Sequence, residues 1–290
     1  MNTKVDFITK PDSGYELIDS GDSEKLERFG EVILRRPDPQ ALWHKRLDDD
    51  AWNKNNASFV TAKTGGSWKK NDMPEKWNTT IHGVTFELSL SMFKHIGVFP
   101  EQAPNWEWVI DLIKNAGRPI KVLNLFGYTG GATIAGSLGG ASVVHVDSSK
   151  TSITHARHNA ELSGVGDNEI RWIPEDARKF VEREIRRGEK YDVIIMDPPA
   201  FGHGIKKELW KIEEDLLPLV ELTKKLLSDN PLFYILNGYS SGYSATAYKQ
   251  NIDWLSEAYG GNVEYGELLI QEKDADRFLP AGITARWSKE

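Results

Sequence analysis

Leu123-Asn124-Leu125-Phe126-Gly127-Tyr128-Thr129-Gly130-Gly131 reads as an apolar strand that breaks into a glycine-rich turn and opens a helix. Glycines let a backbone come close to a ligand, and the unpaired N–H groups of a helix start attract a carboxylate or phosphate. About 20 residues on, a second strand ends at Asp147, placed to hold ribose hydroxyls. The combination suits a nucleoside cofactor. The turn is not G-x-G-x-x-G, because its spacing is Gly127-x-x-Gly130-Gly131, and that departure weakens a dinucleotide reading.

Working outward, short apolar runs alternate with helical patterns from residue 119, which predicts parallel βαβ units. Strands are expected over 120–125, 142–146, 170–173, 191–196 and 232–236. Helices are expected over 131–138, 150–162, 177–187, 209–227 and 245–259. Two final strands, 263–270 and 283–287, have no helix between them and should form a hairpin. An amphipathic helix over 105–115 leads into the first strand. Residues 1–85 differ, with turn pairs, tryptophans and short strands near 31–34 and 85–88. They read as a small β-rich module ahead of a domain over 86–290.

Asp197-Pro198-Pro199-Ala200-Phe201-Gly202 follows the fourth strand. Ligands in open α/β sheets bind outside the carboxyl ends of the strands. Each proline fixes its φ and lacks an N–H, so the loop is stiff and cannot extend the ladder. Asp197 and nearby carbonyls can accept from an amine, while Phe201 can cover a planar ring; an ordinary strand-terminating turn is the alternative. After the third strand, Asp176 can accept from an adenine amino group, cap the following helix, or do both with its two oxygens.

The chain has 39% hydrophobic and 27% charged residues, the composition of a globular protein. No run approaches the roughly 18 apolar residues that span a membrane. The first residues lack an apolar leader, so a cytoplasmic location is expected. There is no cysteine, which excludes disulfides, thiolate metal sites and a cysteine nucleophile within the chain. No metal site is expected. The net charge of −7 argues against non-specific binding to a polyanion, although one basic face could still hold nucleic acid.

Taken together, the glycine turn, Asp147, Asp176 and Asp-Pro-Pro, in that order, resemble a class I S-adenosylmethionine-dependent methyltransferase. More narrowly, Asn124–Gly131, Val146-Asp147-Ser148-Ser149 and Met196-Asp197-Pro198-Pro199-Ala200-Phe201 resemble the bacterial 23S ribosomal RNA large-subunit methyltransferase family. Gly97-Val98-Phe99-Pro100-Glu101-Gln102 with Asn105 is similar to that family's Gly-x-Phe-x-Asp-Gln segment. The likeness covers residues from about 90 onward and is only loose over 1–85.

The resemblance implies a Rossmann-like α/β fold with a seven-stranded, mostly parallel sheet whose last strand is antiparallel. It implies S-adenosyl-L-methionine as cofactor and RNA, ribosomal in class, as partner. Asn124, Phe126, Tyr128, Thr129 and Gly130 would surround the methionine end of the cofactor. Asp147 would hold the ribose with Ser148 nearby, and Asp176 and Ala177 would flank adenine. Phe99 and Gln102 would close from the other side, unless Phe99 is simply core. Asp197, Pro198, Pro199 and Phe201 would face the methyl group and the substrate.

One departure narrows the chemistry. Members that methylate C5 of cytosine need a cysteine nucleophile, and the corresponding segment here is Leu236-Asn237-Gly238-Tyr239-Ser240-Ser241-Gly242-Tyr243. Ser240 and Ser241 are too weakly nucleophilic to replace a thiolate. Direct transfer to a base nitrogen is the expected reaction, with Tyr239 and Tyr243 as a possible opposite wall. His203 could remove a proton, and Lys206-Lys207 could touch phosphate. Trp43, Trp52, Trp68 and Trp77 are expected to pack the N-terminal module rather than stack on bases. Arg35-Arg36 and Lys69-Lys70 are too sparse to define a nucleic-acid face. A protein or small-molecule methyltransferase, or a cofactor-binding module without transfer, stays open as an alternative.

Overall fold

Seven strands make the main sheet: β1 (Lys121–Leu125), β2 (Ser142–Asp147), β3 (Ile170–Pro174), β4 (Val193–Met196), β5 (Phe233–Gly238), β6 (Asn262–Gln271) and β7 (Phe278–Ser288). They appear in a computed structural model that describes residues 2–63, 65–203, 209–239 and 242–289. The order is β6-β7-β5-β4-β1-β2-β3, with β7 antiparallel to β5 and the pairs β5–β4, β4–β1, β1–β2 and β2–β3 parallel. This is the expected α/β sheet with its closing hairpin. Thr3–Lys4 and Phe7–Thr9 add two short strands beside β6, making nine. They occupy hydrogen-bonding groups that β6 would otherwise leave open at an edge.

The helices are α1 (Ala103–Asn115), α2 (Gly131–Leu138), α3 (Lys150–Leu162), α4 (Ala177–Arg187), α5 (Ile212–Lys224), α6 (Ala245–Ile252) and α7 (Trp254–Tyr259). Side chains alternate across a strand, so each face of the sheet has its own cover. Leu123, Leu125, Val144, Val146, Ile194 and Met196 join Phe180, Val181, Leu216 and Val220 from α4 and α5 in one core. The opposite face carries Asn124 against Thr133 of α2 and Phe233 against Trp108 of α1. The helix expected over 209–227 is shorter, because Leu209–Lys211 pairs with Phe201–His203 and Lys211 is extended at the cap of α5.

By contacts the chain forms two compact units. One comprises Met1–Phe7, Asn105–Leu268 and Gly282–Glu290, and the other Ile8–Pro104 and Leu269–Ala281. A division at 85/86 falls inside the strand Val84–Ser89, which is why the compact units part elsewhere. The second unit holds a five-stranded sheet of Tyr15–Gly21, Glu24–Phe29, Val32–Pro37, Ala57–Thr61 and Gly66–Lys70, and the hairpin Lys76–Ile81/Val84–Ser89. Leu17, Leu26, Phe29, Leu34, Trp52 and Phe86 are buried in it. Arg36 is buried with them and forks onto Glu27, at 2.6 and 2.9 Å, so it belongs to that core.

Candidate active site

Register alone assembles the site. Leu125 lies opposite Val146 and Met196, Val146 opposite Ile173, and Met196 opposite Leu236. The five parallel strands β1 to β5 are therefore level with one another at their carboxyl ends. Phe126, Asp147, Glu175 and Asp197 stand at the carboxyl ends of their strands, level with Asn237 inside β5, where open α/β sheets hold ligands.

The turn after β1 is held in an unusual conformation. Phe126 and Tyr128 have φ of 59° and 47°, in the left-handed region that costs about 1 kcal/mol or more for a residue with a Cβ. A Cβ at Gly127 would stand 2.4 Å from Cε1 of His145, so only glycine fits there. His145 is fully buried on β2, beside Trp172 at 4.9 Å, and its Nδ1 pairs with Thr133 Oγ1 at 2.8 Å. Burial lowers its pKa to about 3, so the ring under the turn is neutral. Asn124 donates to the same Thr133 hydroxyl at 2.8 Å and is buried beneath the turn rather than exposed in it. From the far side, Asn159 of α3 donates to the Thr129 carbonyl at 2.9 Å. Gly130 caps α2.

Asp147 accepts the Tyr128 N–H on Oδ2 at 2.9 Å and the Ser149 N–H on Oδ1 at 2.7 Å. Each oxygen keeps a second lone pair for a hydroxyl donor. Burial raises the Asp147 pKa, against the lowering effect of those two N–H groups. Asp176 caps α4, with Oδ1 accepting from Lys179 N–H at 3.0 Å. Glu175 is tied to Arg183.

A small open cleft lies among these residues, lined by Phe126, Val146, Asp147, Ser148, Glu175, Asp176, Ala177, Pro199, Gly202 and Trp210. Six of the ten are sequence-derived candidates. Trp210 is the notable addition. Its ring meets Phe126 at 5.0 Å, and its indole N–H donates to the Pro199 carbonyl at 2.7 Å, fixing the Pro-Pro turn to the cleft wall. No local motif marks Trp210, since its place depends on pairing between Phe201–His203 and Leu209–Lys211.

Asp197 follows β4, and its Oδ2 accepts the Tyr239 hydroxyl at 3.2 Å. Phe201 is 56% exposed and does not line the cleft. Tyr243 turns away, donating to Glu213 at 2.5 Å. Phe99 and Gln102 belong to the second compact unit, where Phe99 lies 5.5 Å from the His95 ring and Gln102 is buried. The His203 side chain, Lys206, Lys207, Ser240 and Ser241 lie outside what the structure describes. Among the described residues there is no group of acidic and histidine side chains that could hold a metal, and no helix is long and apolar enough to cross a membrane.

A family model described as S-adenosylmethionine-dependent methyltransferase matches residues 59–223. The crystal structure of the SAM-dependent methyltransferase from Agrobacterium tumefaciens is 37% identical, with a TM-score of 0.94 over 100% of this chain and 96% of that one. This chain belongs to the S-adenosylmethionine-dependent methyltransferases.

Relatives named ribosomal RNA large subunit methyltransferase K/L are 32% identical in Shewanella sp. (strain MR-4) and 35% in Shewanella baltica. Each match covers 52% of this chain, and the chain spans about a fifth of those relatives' length. SMU.776 in complex with SAH shares the fold at 18% identity, with a TM-score of 0.70 over 95% of this chain and 75% of that one. The residues present fit the methyltransferase cofactor. The cleft offers two carboxylates with free acceptor capacity, at the ends of β2 and β3, next to aromatic and proline walls.

Proposed function

We propose that this methyltransferase acts on a nitrogen of an RNA base, with ribosomal RNA as the substrate class. The observation that carries this reading is Asp197-Pro198-Pro199, anchored beside the cofactor cleft by Trp210, in a chain without cysteine. A carbon nucleophile such as C5 of a pyrimidine needs covalent activation by a thiolate. A nitrogen lone pair needs only alignment and removal of water. The names of the Shewanella relatives support RNA as the class.

When bound, S-adenosylmethionine supplies a methyl carbon on a sulfonium, whose bond to sulfur breaks as the new bond to nitrogen forms. Asp147, with Ser148 beside it, receives the ribose hydroxyls on its two remaining lone pairs. Asp176 uses the oxygen not spent on the helix cap to accept the adenine amino group, and Ala177 lies along the ring. Asn124 supports the turn from below, while the backbone of Phe126, Tyr128, Thr129 and Gly130 borders the methionine end. Asp197 accepts an N–H of the target base, aims the lone pair and takes up the proton released on methylation. Tyr239 keeps that carboxylate oriented. Pro198 and Pro199 fix the loop, and Phe201, exposed beside it, is the ring that meets an extruded base.

The test uses methyl-labelled S-adenosylmethionine and a lysate of cells lacking the protein, separated afterwards into RNA, protein and small molecules. Label in RNA that disappears with Asp197→Ala is expected. Label only in protein or small molecules would reject the RNA substrate and leave the enzyme class standing.

A further inference from the structure

Between Ala51 and Asn71 there are four lysines (Lys54, Lys63, Lys69 and Lys70) and no acidic residue, although the chain as a whole carries −7. Acidic residues bound this stretch on both sides, at Asp48–Asp50 and Asp72. Its strands, Ala57–Thr61 and Gly66–Lys70, pair as an antiparallel hairpin at the edge of the second unit's sheet. Only Leu34 and Arg35 of the neighbouring strand register with it, opposite Ala57 and Ser58. From Ser58 to Lys70 no described residue is fully buried. Among the described residues, no carboxylate pairs with any of these four lysines. By contrast, Arg35 is committed to Glu24 and Arg36 to Glu27.

The same hairpin carries an aromatic row. Phe59 and Trp68 are cross-strand partners with rings 5.3 Å apart, edge to face. Gly66 makes room for that pair, since a Cβ there would lie 2.4 Å from the Phe59 ring. The Trp68 indole N–H donates to the carbonyls of Ser91 and Phe93, both at 3.0 Å. Ser91 in turn accepts the Phe93 N–H at 3.0 Å and donates to the His95 carbonyl at 2.7 Å. The loop is thereby fixed with Met92 83% and Phe93 65% exposed. Trp68 is thus not a core tryptophan of the kind Trp52 is, and Lys69-Lys70 are two members of a larger basic group.

Lysines on an edge strand also guard against strand addition. That explains neither the lack of acids on both strands nor the exposed Phe93 ring on a loop whose backbone is held by hydrogen bonds. Uncommitted cations beside sequence-tolerant stacking surfaces are the two parts of a single-stranded nucleic-acid groove.

We propose that this hairpin and the Ser91–His95 loop form an RNA-docking surface, with Lys70, on the same strand face as Trp68, and Lys63 of the turn meeting phosphates, and Phe93, with Trp68, meeting bases. The proposal rests on RNA being the substrate class. It gives the second unit a role in capturing the strand and leaves the chemistry to the sheet edge.

The test measures binding of full-length protein to a fluorescein-labelled single-stranded RNA of mixed sequence across a salt series. Three variants are compared: Lys63→Glu/Lys70→Glu, Phe93→Ser, and a charge-matched control, Lys10→Glu/Lys114→Glu, at exposed lysines elsewhere. The hairpin double variant should lose about fivefold or more in affinity and about 1.4 units of salt slope. Phe93→Ser should weaken binding several-fold without changing that slope. S-adenosylhomocysteine affinity should stay at the wild-type value in all three. Wild-type RNA affinity in the hairpin double variant, or an equal loss in the control, overturns the docking surface. Hairpin-dependent binding of polyglutamate in place of RNA overturns it as well. If the wild-type protein binds no RNA and labels only protein, the substrate reading fails and the surface falls with it. If the wild-type protein binds RNA and the hairpin variants are unaffected, the surface alone falls.

Discussion

The ribose role proposed for Asp147 rests on its two prepared oxygens. Both its oxygens are oriented by backbone N–H groups before any ligand arrives, so little reorganisation is left for binding. Asp147→Asn should weaken S-adenosylhomocysteine binding roughly 10- to 100-fold by calorimetry, the range for a charged hydrogen-bond acceptor. Burial raises its pKa, so the acceptor is lost by protonation at a higher pH than for an exposed aspartate. Cofactor affinity should therefore fall on acidification with a midpoint above the usual value of about 4, and the Asn variant should lack that dependence. An unchanged affinity in Asp147→Asn would contradict the ribose role. The place of Asp147 at the end of β2 was legible from the apolar run before it, and its proposed ribose role from its distance after the glycine turn. His145 was not, since a histidine inside the strand Ser142–Asp147 gives no sign in the sequence that it stands under Gly127.

At the scale of elements, the Asp-Pro-Pro turn is held by a short antiparallel pair that sequence periodicity hides. Residues 209–211 carry a helix-compatible pattern running into α5, and tertiary pairing with Phe201–His203 draws them into a strand instead. That pairing brings Trp210 to Phe126 and Pro199. Trp210→Phe preserves an aromatic ring and removes the donor to the Pro199 carbonyl. Turnover should fall more than S-adenosylhomocysteine affinity does, because the lost bond orients the transfer loop. An equal fall in both would make Trp210 a cofactor wall only. The βαβ succession itself was readable, since the strand register follows from short connections and apolar runs. The short strands beside β6 were not, because Thr3–Lys4 is too brief to show a pattern.

For the whole molecule, stability should carry the signature of a buried acid. Burial raises the Glu101 pKa to about 7, while Lys25 and Arg36 oppose the shift and Glu27 adds to it. An unfolded chain releases that proton near pH 4.3, so between about 4 and 7 the folded state binds more protons than the unfolded one. This group's contribution is greatest at low pH and is lost as pH rises through 7. Glu101→Gln should flatten that part of the pH–stability curve and raise stability at pH 8 by up to about 3 kcal/mol in urea denaturation. A parallel loss of stability at every pH would contradict this, since it would show that titration of the carboxyl does not shape the curve. The family match and the strand order of the main sheet make the chain a methyltransferase, and the proposal that it methylates nitrogen rests on the missing cysteine. The most direct measurement is the identity of the methylated nucleoside, found by mass spectrometry after digestion of RNA labelled by the purified protein. A methyl group on a base nitrogen is the expected product, and a C5-methylated pyrimidine, formed without any cysteine, would contradict it.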